Sequence, residues 1–158
     1  MSTRPKRHRA VAVVRRGDTF LLMTRYKRAA RAGKCRRCKE AGTSVGVCPG
    51  HRYAVVPGGG VEPGETLPEA VLRELAEEAT LTGTIDSHLW TGPHRHGRMA
   101  SYYLVVGVEG EPVLGGEEAL ECAPDNDYGF VWAKASDFEA LGLEPEVASA
   151  LLTGLSYA

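Results

Sequence analysis

Long apolar runs are missing from this chain of 158 residues. No stretch approaches the ~18 apolar residues that a membrane-spanning helix needs, which argues against a transmembrane segment. The basic N-terminus is not followed by an apolar segment, so it does not read as a secretory signal, and a cytoplasmic location is expected. Aromatic residues make up only 7%. Few lie among the basic residues, where Tyr26 and Tyr53 only flank the densest cluster. Bases are scarce over most of the chain. Residues 53–158 hold 4 of the 19 lysines and arginines and carry a charge of −14, whereas residues 1–52 carry +13 with only Asp18 and Glu40 as acids. The net charge of −1 hides this split. A basic segment of that density suits an anionic partner, and nucleotide phosphates are the simplest one. Residues 1–8 read as a flexible basic tail ahead of a single domain over 9–158. Neither an internal repeat nor a low-complexity segment is visible, and oligomeric state has no sequence signal.

Cysteine is also sparse, with four in the chain. Three of them fall with one histidine into two pairs of identical spacing: Cys35 and Cys38, then Cys48 and His51. Each pair lets two ligands reach one ion from a tight turn, and together they predict a Cys3His zinc site. Disulfides are not expected without an export signal. Four protein ligands leave no open position for water, so the zinc is expected to be structural. It would staple residues 27–52, a segment too polar to make its own core. Cys122 lies far from this group and is expected to be an ordinary thiol.

The strongest pattern is Gly59–Leu81, GGVEPGETLPEAVLRELAEEATL. Thr66 and Glu69 form a capping box, and Pro68 falls in the first turn, so a helix is predicted from this point. On the helical wheel Val71, Leu72, Leu75, Ala76 and Ala79 share the core side, while Glu74, Glu77 and Glu78 share the other. Like charges at offsets of three and four repel by a few tenths of a kcal/mol per pair unless something neutralises them. The entry run Pro57–Gly60 brings bare backbone close to whatever the carboxylates hold. Hard oxygen ligands in this number suit Mg²⁺ or Mn²⁺, which in turn hold phosphates.

This segment resembles the Nudix box, G-x5-E-x7-R-E-U-x-E-E-x-G-U with U aliphatic. Gly59, Glu65, Arg73, Glu74, Leu75, Glu77, Glu78 and Leu81 match it at fixed spacing. Thr80 stands where the box has its late glycine. Threonine resists the left-handed backbone, so either the helix runs on towards Gly83 or the turn differs. The resemblance implies an α/β fold, a Nudix-type α/β/α sandwich with a mixed β-sheet. It also implies a Mg²⁺-dependent pyrophosphohydrolase that cuts a nucleoside diphosphate linked to another moiety. Glu74, Glu77 and Glu78 would hold the metal with help from the Gly59 backbone, Arg73 would orient them, and Glu65 would hold Arg73. Glu74 or Glu78 would serve as general base. Members also supply a carboxylate from a late loop, for which Glu117, Glu118 and Glu121 are candidates here. A 5′-end RNA pyrophosphohydrolase and a non-catalytic nucleotide-sensing module are the alternatives.

Elsewhere, Ala10–Val14 and Thr19–Thr24 predict a hairpin about Arg16–Asp18. Tyr53–Val56, Ser101–Val108 and Phe130–Trp132 predict further strands, and Lys134–Leu141 and Pro145–Leu152 predict helices. Thr91–Arg98 reads as a polar loop, and residues 115–127 as a long acidic connection. Substrate phosphates are expected to meet Arg25, Arg28, Arg36 and Arg37 from the basic segment, and Arg95 and Arg98 from the polar loop.

Overall fold

The computed structural model describes residues 6–157. A curled mixed sheet of eight strands runs in the order β5 (Thr84–Pro93), β6 (Met99–Val106), β1 (Arg9–Arg16), β2 (Thr19–Lys27), β3 (His51–Val55) and β8 (Leu143–Glu144). Off this path, β4 (Gly58–Gly60) pairs with β1, and β7 (Asn126–Ala133) pairs with β2. Strand β1 organises the whole. It is parallel to β6 on one edge. On its other edge it pairs first with β4 through Arg9–Val11, then with β2 through Arg15 and Arg16. The sheet divides where β1 changes partner.

Period-2 alternation on β1 buries both of its faces. Ala10, Ala12 and Val14 pack towards helix α2 (Leu67–Ala79) with Val71, Leu75 and Ala79. Val11 and Val13 point the other way, into a second core with Phe138 of α4 (Phe138–Leu141) and Ala148 and Leu152 of α5 (Glu146–Ser156). A sheet covered on both faces by helices is the expected α/β/α sandwich. Two shorter helices remain, α1 (Arg36–Glu40) and α3 (Gly116–Glu121). No helix among the described residues is long and apolar enough to cross a membrane.

Helix α2 starts as its sequence predicts. The Thr66 hydroxyl accepts from the Glu69 N–H at 3.2 Å and donates to the Glu69 carboxylate at 2.9 Å. The wheel needs two corrections. Ala76 is exposed and Ala70 takes its place in the core, while Glu78 is only 5% exposed. The cause is that α2 packs against the sheet on one side and against the segment leading to α3 on another. Helix α2 also ends on time. Thr80 adopts the left-handed conformation, φ 56° and ψ 35°, which it was expected to resist. Its hydroxyl donates to the Val113 carbonyl at 2.8 Å, and the Val113 and Gly115 N–H groups bond Ala79 and Glu78 carbonyls. A Cβ on Gly115 would sit 2.6 Å from the Glu77 carbonyl, so the segment passes the helix end on bare backbone.

Several boundaries differ from the sequence reading. Strand β5 is missed entirely, because it is an edge strand with polar residues and two register shifts that break its alternation. It also absorbs the first residues of the predicted loop Thr91–Arg98, whose remainder is a 3-10 turn over Arg95–Gly97. The acidic connection forms α3, and β7 starts at Asn126, four residues before the predicted strand. Lys134–Leu141 is a 3-10 turn followed by α4. Helix α5 extends four residues past Leu152. Of the predicted tail, residues 1–5 lie outside the described residues. His8 is tied down, its Nε2 lying 2.8 Å from the Ser101 hydroxyl, and the Arg98 Nε donates to the Arg7 carbonyl at 3.0 Å.

Candidate active site and the cysteine–histidine cluster

The glycine turn and helix α2 meet at van der Waals contact. A Cβ on Gly59 would stand 2.4 Å from the Glu74 carboxyl carbon, so only glycine permits this approach. Arg73 joins the pieces. Its guanidinium is bidentate to Glu65 at 2.6 and 2.9 Å. It also donates to Glu74 at 2.9 Å, to Glu77 at 3.1 Å and to the Gly60 carbonyl at 2.9 Å. These bonds hold the Glu65 carboxyl below its ordinary value, assisted by the Glu62 N–H, and raise that of Arg73. One planar fork thus sets the turn, the helix and three carboxylates in a single geometry.

Glu78 is the buried member of the acidic group. Burial pushes its carboxyl up to about 9, Arg9 opposes this, and Glu74 and Glu118 add to it. A buried carboxylate crowded by two others is stable when a cation shares the site. The donor chemistry therefore fits a hard divalent ion beside Glu74 and Glu78, with Glu118 lining the same cleft as Glu78. Glu77 is more open, its side chain 54% exposed and turned to Arg73. Of the three late candidates, α3 brings Glu118 to this place. Glu117 is exposed, and Glu121 instead accepts from the Tyr128 hydroxyl at 3.4 Å. Neither lines the cleft.

The cleft beside Glu78 has a volume of about 250 Å³ and draws on both parts of the divided sheet. Arg25 on β2 lies 3.7 Å over the Tyr128 ring and donates to Asn126 at 3.0 Å, while its buried Nε has no partner. Arg98 and Arg95 reach the cleft from the β5–β6 turn. Burial lowers the Arg98 value, with Arg9 and Arg7 adding to the effect. His94 is pushed down to about 4 by burial and by Arg9, Arg98 and Arg95, so it is neutral at pH 7; its Nε2 lies 3.0 Å from the Tyr102 hydroxyl. Sequence reasoning missed Arg9, Tyr128 and Glu144 as cleft residues. Each is a lone polar residue on a strand without a motif, and only the sheet brings them together.

The predicted metal ligands converge. Cys35, Cys38, Cys48 and His51 place their ligand atoms within 4.8 Å of one another, the only group among the described residues that does so with three or more acidic, cysteine or histidine side chains. Cys35 caps α1, Cys38 lies within it, and His51 opens β3. All three cysteines are free thiols, buried in a small cluster with Ala32 and separate from both larger cores. Burial opposes ionisation of Cys48, yet the Gly50 and Ala29 N–H groups bring it down to about 6; burial and the neighbouring sulfurs push Cys38 up to about 12. Four convergent soft donors fit a closed tetrahedral metal site. Cys122 is exposed and bonds Asp127.

Ion pairs join this insertion to the cleft. Arg37, between two of the cysteines, is bidentate to Glu144 at 2.9 and 2.6 Å and lies 3.5 Å over the Tyr53 ring. Arg95 bonds the same Glu144 carboxylate at 2.5 Å and Glu40 at 3.4 Å. Arg36 meets Glu40 at 3.3 Å and His96 at 2.5 Å. Of the six arginines expected to meet substrate, Arg25, Arg95 and Arg98 line the cleft, and Arg28, Arg36 and Arg37 line a groove just outside it.

No curated protein sequence matches the chain. Solved structures do. A MutT NUDIX hydrolase from Burkholderia pseudomallei is 23% identical, with a TM-score of 0.61 over 92% of this chain and 95% of that one. The ORF135 protein of E. coli is 19% identical, with a TM-score of 0.61 over 95% of this chain and 89% of that one. An Ap4A hydrolase of C. elegans is 21% identical, with a TM-score of 0.61 over 94% of this chain and 96% of that one. At these identities the likeness is one of fold. The NUDIX domain model matches residues 6–149, nearly the whole described chain, and with that match the glycine turn and the glutamate helix take their place: the chain belongs to the Nudix hydrolase family.

Proposed function

We propose that the protein is a Mg²⁺- or Mn²⁺-dependent pyrophosphohydrolase acting on a nucleoside diphosphate linked to a further group. As a Nudix hydrolase it acts on phosphorus-containing anhydrides; the metal and the nucleotide substrate are the proposal. The observation that carries it is the buried Glu78 carboxyl beside Glu74 and Glu118 at the mouth of an arginine-lined cleft. Glu74, Glu77 and Glu78 would hold the divalent ion, and Arg73 with Glu65 would fix their geometry. When bound, the ion neutralises phosphate charge and makes water more acidic. A carboxylate of the cluster takes the proton of the attacking water. The water oxygen bonds to phosphorus, the bridging P–O bond breaks, and the leaving phosphate keeps the electron pair. Arg25 and Arg98 bind phosphate oxygens. Cys35, Cys38, Cys48 and His51 would hold a structural zinc ion.

The test is a hydrolysis screen with and without Mg²⁺ over nucleoside triphosphates, nucleotide sugars and dinucleotides. Glu77→Gln and Glu78→Gln should each lower kcat by roughly a thousandfold, matching the several kcal/mol a bound cation supplies. Circular dichroism and zinc content should not change. Full turnover in both variants would refute the assignment. Nucleotide binding by the wild type without hydrolysis would identify a sensing module instead.

A further inference from the structure

The groove outside the cleft encloses about 480 Å³, more than the cleft itself, and the reaction proposed above makes no use of it. Tyr53, Arg95 and His96 line both, so the two spaces adjoin. Six cationic side chains line the groove, against two acidic ones, Glu40 and Asp125. The six divide into two sets. Arg36, Arg37 and Arg95 are paired with Glu40 and Glu144 and frame the wall. Lys27, Arg28 and Lys34 have no carboxylate within ion-pair distance among the described residues. Unpaired like charges gathered in one concavity concentrate anions there. The nearby aromatic faces are occupied, since Arg37 covers Tyr53 and Arg52 lies 4.6 Å over Tyr26. The tyrosine ring lining the groove, that of Tyr53, is already engaged by Arg37, so charge outweighs stacking there.

We infer that the insertion builds an anion subsite for a phosphate carried by the substrate beyond the anhydride that is cut. This rests on the hydrolase reading above. The shared ligand chemistry is a second phosphate-bearing half in the same molecule. It would be the far nucleotide of a dinucleoside polyphosphate, or the next phosphodiester of a 5′-triphosphate oligonucleotide. Lys27 at the end of β2, Arg28 after it and Lys34 before the first cysteine ligand supply the charge. Lys27 pairs with His51 across β2 and β3 and Lys34 precedes Cys35, so the cysteine–histidine cluster ties the three to one place.

The experiment measures KM with Mg²⁺ for a nucleotide sugar, a dinucleoside tetraphosphate and a 5′-triphosphate trinucleotide. The proteins are the wild type, the double variant Lys27→Glu/Lys34→Glu, and Lys39→Glu, an exposed charge reversal outside the groove. The double variant should raise the KM of at least one phosphate-extended substrate by about tenfold relative to that of the nucleotide sugar, as lost charge-assisted contacts would. Lys39→Glu should leave that ratio unchanged. A shift for the tetraphosphate alone assigns the groove to dinucleotides, and one for the trinucleotide alone assigns it to nucleic-acid ends. Equal shifts for all three substrates, no shift for any, or the same ratio change in Lys39→Glu would overturn the subsite. A wild type that hydrolyses normally but shows a groove-insensitive KM removes only the subsite. A wild type that cleaves none of the substrates removes the hydrolase reading and the subsite with it.

Discussion

Helix α2 and the cysteine–histidine insertion present charged side chains to adjoining clefts, yet they are held in place by opposite means. Helix α2 lays Val71, Leu75 and Ala79 on the sheet, and its carboxylates stand on an apolar foundation fixed further by Arg73. The insertion has no such foundation. Its buried side chains are three cysteines and an alanine, with the exposed Val45 and Val47 at its far end. The first region keeps its buried, crowded carboxylate on a helix anchored by that apolar packing. The second region keeps a dense set of arginines and lysines around four convergent cysteine and histidine side chains, where the proposed metal would replace the missing core. Placement of charge needs rigidity, and either source supplies it.

The sharpest way to break the comparison is to remove the metal. Chelation or Cys48→Ser should abolish amide exchange protection across 28–51, since structural zinc contributes on the order of 10 kcal/mol to small metal-folded units. Protection in Leu67–Ala79 should remain, as hydrogen exchange would reveal. Equal loss in both regions would mean that they fold as one unit. Leu75→Ala is the converse. It should cost about 2–5 kcal/mol of global stability in denaturant titration, with zinc affinity per folded molecule unaltered. A change in zinc affinity would sink the separation. Arg37→Ala tests the joint between the regions. The lost pair with Glu144 is partly buried, so a cost of about 1–2 kcal/mol is expected, between the exposed and buried limits. Arg37 holds the Glu144 carboxyl below its ordinary 4.5, chiefly by its hydrogen bonds. The pair's contribution is therefore complete above pH 4.5 and is lost as pH falls through the lowered folded value. The variant should lose that part of the acid sensitivity, and an unchanged acid-unfolding curve would show that the joint carries no stability.

The elements most legible in the sequence were those with local causes. The α2 cap, the Pro68 position and the cysteine spacings depend on neighbours within a few residues, and they appear where the pattern puts them. Strand β5 was illegible because an edge strand with bulges lacks alternation. Thr80 misled for a related reason. Its intrinsic preference opposes the left-handed turn, but a hydrogen bond to Val113, 33 residues away, helps to hold it there. Glu118 could not be told from Glu117 and Glu121, since a rotation of 100° on a short helix decides which one faces Glu78.

By itself the sequence determined which residue types meet: the glutamate set, its arginine, the glycine that admits them and the cysteines and histidine of the cluster. These are choices of residue type at short spacing, and chain geometry carries them directly. Only the tertiary structure decided which charges act together. Arg9 lines one cleft with Glu78, Arg37 meets Glu144, and three unpaired cations share the groove next to that cleft. Arg9 and Glu78, like Arg37 and Glu144, are far apart along the chain, and strand pairing and helix packing, rather than any local preference, set the distances between them.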